Sequence, residues 1–176
     1  SSIIRHLEKI QIEPKLIPVD PKKASQTQII ENWADTTLAK SIKIVFLEEL
    51  MKNPKLISCL VTKGISDSLK KPFLNIPKKF ASQISGLINK YEKESLTLNL
   101  ENISNLIKKE HFLIGEELSI ADISVASQLS LLNFPKSSGE NLRGKGCTTY
   151  INDPNLKNLF EWRDFIDDQL TSTNCH

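Results

Sequence analysis

Apolar residues recur at three- and four-residue steps through most of the chain, and prolines and a few glycines cut that pattern into segments. Ile3, Ile4, Leu7 and Ile10 predict a short amphipathic helix over 1–12, stopped by Glu13-Pro14. Lys15 to Pro21 holds two prolines and alternates apolar with polar residues, which reads as an extended linker over 13–21. Asp20-Pro21 offers an N-cap followed by a ring at the first helical position, and Ser25 with Gln28 a second start. From there Ile30, Trp33, Ala34, Leu38, Ile42, Val45 and Leu50 predict one long helix as far as Asn53-Pro54. A short helix is expected around Leu56 to Val61, within an irregular stretch that carries Gly64, Pro72 and Pro77. Phe80, Ile84, Leu87, Ile88 and Tyr91 begin a second long pattern that runs to about Lys109, with a break near Ser95.

The most informative stretch is 112–135. Ser119 and Asp122 stand at the two positions of a capping box, with Leu118 and Ile123 at those of a hydrophobic staple. No charged residue follows from Ile123 to Pro135, and Ala121, Ser124, Ala126, Ser127 and Ser130 are small. A helix apolar on nearly every side is a central one, packed closely by its neighbours. Its first turn must be satisfied internally, since little water reaches it. Residues 134–152 lack periodicity and read as a loop. Asp153-Pro154 then opens a final helix marked by Leu156, Leu159, Phe160, Arg163, Ile166 and Leu170, and 171–176 reads as a tail. No strand is expected, so the fold class is all-α.

Composition narrows the field further. The 176 residues are 39% hydrophobic, with only six glycines and a 6% aromatic share, which disfavours a sandwich or barrel. The net charge of +2 is too balanced to point to nucleic acid, although 1–95 carries 16 basic against 10 acidic residues and 96–176 carries 7 against 11. No apolar run approaches the length of a membrane span. Cys59, Cys147 and Cys175 show no metal or redox spacing and fit a reducing, cytoplasmic setting. Cys59, in an apolar run, is expected to be buried and inert, and Cys147, in the loop, to be the reactive thiol.

The order of linker, two long helices, Gly115-x-x-Leu118-Ser119-x-x-Asp122 cap, buried helix and proline-started last helix resembles the C-terminal helical domain of cytosolic glutathione transferases. The four cap residues match that family position by position, and Asp153-Pro154-Asn155-Leu156 with Trp162-Arg163 looks like its last core helix. Residues 22–170 would then form a glutathione S-transferase C-terminal-like helical bundle. Ile3-Ile4-Arg5-His6-Leu7-Glu8 is similar to the end of the family's thioredoxin-like domain, making 1–12 a remnant of its last helix, with the rest of that domain upstream of Ser1.

The resemblance implies a wall for a small electrophilic substrate, part of a homodimer contact, and glutathione as co-substrate of a longer parent protein. The catalytic group of that family lies in the upstream domain, so no catalytic residue and no cofactor is assigned to this chain. The region that forms the wall offers Trp33, Thr37 and Lys40; Trp33 also reads as a core aromatic. A second reading is a non-catalytic interaction module, since the same domain resemblance occurs in translation factors and synthetase-associated proteins.

Other patterns carry less. Gly139 to Lys145 nearly spells a phosphate loop, but Gly146 stands where Ser or Thr must hold magnesium. His6, His111 and His176 lack partners at ligand spacing, so no metal site is assigned. Glu161, Asp164, Asp167 and Asp168 read as a solvated acidic face.

Overall fold

The computed structural model describes residues 15–60, 90–108 and 110–172. The helix expected over 1–12 and the beginning of the second long helical pattern, over 80–89, lie outside the described residues, as does the tail after Ser172. Within them the chain is all-α, with no strand and one isolated bridge between Asn133 and Gly146. No described helix is long and apolar enough to cross a membrane.

Helix α1, Pro21–Trp33, starts as its sequence requires. The Asp20 carboxylate accepts from the Lys23 amide at 2.9 Å and Pro21 occupies the first turn. The long helix then departs from the expectation of a continuous α-helix, because Ala34–Leu38 forms a π-helical segment before α2, Ala39–Lys52. At this point the Thr36 hydroxyl donates to the Asn32 carbonyl at 2.6 Å, a local bond that competes with the regular ladder. Asn53, which leaves the helical region at φ −126° and ψ 81° before Pro54, ends α2, and α3 follows over Pro54–Leu60.

Helix α4, Lys90–Ile107, runs unbroken through Ser95, where the sequence pattern suggests an interruption. It buries Leu96, Leu100, Ser104 and Ile107 on one stripe. The central helix α5 is Ile120–Leu129, shorter than the apolar run that announces it. It packs on α1, the π-helical segment, α2 and the last helix, and Ala121, Asp122, Val125 and Leu129 are wholly buried.

The loop expected over 134–152 is more ordered than its composition suggests. It contains a 3-10 turn at Lys136–Ser138, the short helix α6 at Thr148–Ile151, and the bridge at Gly146. Phe134 donates to the Lys145 carbonyl at 2.8 Å and Cys147 to the Leu132 carbonyl at 2.8 Å, folding the segment back on the end of α5. Gly146 has φ +148°, and a Cβ there would stand 2.2 Å from the Leu132 carbonyl oxygen, so glycine is required. A 3-10 turn at Pro154–Leu156 leads into α7, Lys157–Ser172, which buries Leu159, Phe160, Trp162, Arg163 and Ile166.

Arg163 is the largest fully buried side chain, 1% exposed. Its Nη1 donates to the Asn133 carbonyl and its Nε to Asp164 at 2.8 Å, so α7 closes the C-terminal end of α5. Burial lowers its pKa, against the opposing charge of Asp164.

Candidate functional site

Two places answer to the residues singled out in the sequence. The first is the cap of α5. Ser119, extended at φ −127°, forms a capping box with Asp122. Asp122 Oδ2 accepts from the Ser119 amide at 2.9 Å and from the Ser119 hydroxyl at 2.7 Å, while Oδ1 accepts from the Leu113 amide at 2.7 Å. The hydroxyl proton thus goes to the carboxylate, a bond that the spacing alone does not reveal. Gly115 takes φ +76° in the preceding loop, and Leu118 is half-buried against the core. The Ile120 amide, an orphan of the first turn, donates to the Leu16 carbonyl at 2.9 Å, so the linker is part of the cap. Asp122 is 0% exposed, and burial raises its pKa even though the donors from Leu113 and Ser119 oppose it. Every oxygen in this cluster is committed to holding three chain segments together, which is a structural task.

The second place is a groove of about 390 Å3 along the junction of the π-helical segment and α2. Thr36, Thr37, Lys40 and Ser41 line one part of it, Ile44 and Val45 continue along the same helix, and Glu92 faces them from α4. Thr37 and Lys40, both exposed, therefore share one concave surface. Trp33 does not line it and instead packs, half-buried, against the core. Ser41 and Ile44 follow Thr37 and Lys40 at helical spacing, a signal that is present in the sequence. Glu92 has no such signal, because a different helix brings it across.

One ion pair joins the Glu92 end of α4 to α2, at a carboxylate that also takes a lysine of its own helix. Lys93 reaches Glu48 at 2.7 Å, and Lys52 reaches the same carboxylate at 2.6 Å. Burial alone would push the Glu48 pKa up, but the hydrogen bonds and charges of Lys52 and Lys93 outweigh it and hold the group below its ordinary value.

The cysteines reverse the order expected from the sequence. Cys147 is 1% exposed under the bridge, and burial, with the nearby charges of Glu49 and Glu48, pushes its thiol up to about 12. Cys59 is half-buried and receives a hydrogen bond from Lys145 Nζ at 2.9 Å. Folding of the loop onto α5 is what inverts them. The near phosphate loop is likewise absorbed, with Gly146 in the bridge and Lys145 on Cys59.

The acids of α7 are largely engaged within the fold. Asp164 holds Arg163, Asp167 accepts from the Ser137 hydroxyl at 2.7 Å, and Glu161 lies 3.7 Å from Lys157. No cluster among the described residues could hold a metal ion.

The chain is similar to FtsZ-localized protein A of Caulobacter vibrioides, with 23% identity over 133 residues that take in 76% of this chain and 48% of that protein. It thus spans about half the length of the curated relative it matches. No protein-family model matches, and no solved structure does.

Proposed function

We propose that residues 22–170 are the helical C-terminal domain of a glutathione transferase-like protein, and that its contribution is one wall of a small-molecule site together with part of a dimer contact. The observation that carries this reading is the Ser119–Asp122 box at the head of a buried central helix, with Gly115 at positive φ and Leu118 against the core. Those are the four residues on which the resemblance rests, and their arrangement supports it. The groove over Thr37 and Lys40 lies in the region that the family uses for its electrophile. Thiol activation would belong to upstream residues, with glutathione as the co-substrate held there, so the described residues bind and position and carry no catalytic group.

The test is an assay of the natural gene product with glutathione and 1-chloro-2,4-dinitrobenzene. Conjugation is expected, with KM for the electrophile raised by substitutions at Thr37 and kcat changed less. No conjugation at high protein concentration would overturn the transferase reading.

A second reading, a non-catalytic interaction module, is favoured by the relative, whose name records where it localises and no reaction. Co-sedimentation of this chain with FtsZ filaments would support it, and a chain that stays in the supernatant would count against it.

A further inference from the structure

Four lysines of the described residues give their ammonium to oxygen: Lys52 and Lys93 to Glu48, Lys157 to Glu161, and Lys108 to the Asn105 side chain. Lys145 gives its ammonium to sulfur. Its Nζ stands 2.9 Å from the Sγ of Cys59, a residue 86 positions away in the chain. Both sides of this contact are anchored by packing and backbone bonds. The Lys145 amide donates to the Leu142 carbonyl at 2.9 Å and its own carbonyl accepts from the Phe134 amide at 2.8 Å, beside the bridge that requires Gly146. Cys59 rides on α3, which is held through the buried Leu56 and Ile57. Cys59 is partly exposed, so a small oxidant reaches it, whereas Cys147 is closed in. A sulfenic acid condenses with whichever thiol or nitrogen lies against it. Here the amine of Lys145 already holds that position.

We propose that Cys59 and Lys145 are a modification site, at which a hydroperoxide drives a direct sulfur–nitrogen cross-link between α3 and the 134–147 segment. The peroxide gives one oxygen to the Cys59 thiol, and its O–O bond breaks as the sulfenic acid and an alcohol or water form. Lys145 then releases a proton to solvent and its lone pair attacks the sulfur. The S–O bond breaks, and the hydroxyl leaves with a second nitrogen proton as water. The product is a sulfenamide, in which sulfur has been oxidised and the peroxide reduced, and thiol reductants return it to the free pair. The link keeps the sulfur from the irreversible acids further up the oxidation ladder. It also closes a long loop of the chain, which removes freedom from the unfolded state and favours the folded one.

The experiment is treatment of the full, reduced 176-residue chain with hydrogen peroxide, read by intact mass and peptide mapping. The mass should fall by about 2 Da, with one cross-linked peptide pair joining Cys59 to Lys145 and released by dithiothreitol. Lys145→Arg keeps the charge and the N–H donors, but a guanidinium cannot be deprotonated to attack. That variant should form no link, and its Cys59 should be captured by dimedone or pass on to the sulfinic acid. Cys175→Ser should keep the link, which separates it from a disulfide to that residue. A mass loss that maps to a disulfide would overturn the proposal, as would a Cys59 that gives the same acids at the same rate in the parent and in Lys145→Arg. Glutathione takes no part in the reaction, so the inference stands or falls apart from the transferase reading.

Discussion

The Leu113 amide points at Asp122 Oδ1 from 2.7 Å, joining the loop before the central helix to the third residue of that helix. The same carboxylate also holds the Ser119 amide and hydroxyl, so one buried side chain serves three donors. Removing it strands the two Ser119 donors in a buried place and the Leu113 amide in a part-buried one.

Asp122→Ala should therefore destabilise the protein by roughly 2–4 kcal/mol, above the usual cost of a lost surface cap, because buried donors are left unmet. Urea denaturation measures it. A midpoint within error of the parent would show that the cluster is not what secures α5.

Two carboxylates should respond to pH in opposite senses. Asp122 has its pKa raised in the fold, so its titration contributes stability that is complete below the ordinary carboxylate value and lost as pH rises through the raised one. Glu48 has its pKa lowered, so its contribution is present above the ordinary value and lost as pH falls through the lowered one. The stability gap between parent and Asp122→Asn should thus shrink from acid towards neutral pH. The gap to Glu48→Gln should grow over the same range, to at most about 1 kcal/mol given the exposed lysines. Denaturation curves at several pH values for both variants decide it, and parallel trends would refute the assignment.

Thiol reactivity should follow the structure and not the sequence reading. Under native conditions iodoacetamide should modify Cys59 well before Cys147, whose thiol is buried and pushed up to about 12. Peptide mapping by mass spectrometry reads the order directly. Equal rates would mean that the 134–147 segment opens readily.

Gly146→Ala forces a Cβ to within 2.2 Å of the Leu132 carbonyl oxygen, a backbone atom that cannot swing aside. Gly139 also has positive φ, at +86°, but a Cβ there meets nothing within 4 Å. Alanine at 139 should cost about 1 kcal/mol, and at 146 more than about 2 kcal/mol. Thermal melts of the two variants separate strain from collision.

The parts of this fold that can be read in the sequence are those governed by local rules. Asp20-Pro21, Ser119 with Asp122, and Asp153-Pro154 each open a helix or a 3-10 turn where the sequence places one, because a cap is settled within four residues. What escapes is set by distant neighbours. The π-helical segment leaves the hydrophobic spacing unchanged, since Ala34, Leu38 and Ile42 keep a step that either helix type tolerates. Cys147 looks exposed in the sequence because its loop is rich in glycine and charge, yet the Leu132 carbonyl draws it under the bridge. In the groove, Thr37 and Lys40 can be picked from one helix, whereas Glu92 comes from α4, a separate helix that tertiary packing brings beside α2.

The bond from the Ile120 amide to the Leu16 carbonyl has a mechanical consequence. Tension applied to the chain at Lys15 would reach the first turn of the innermost helix directly through that bond, alongside the outer helix α1 that the linker leads into. Extension in an optical trap should accordingly yield in one abrupt rupture, with the linker and the centre of the molecule parting together.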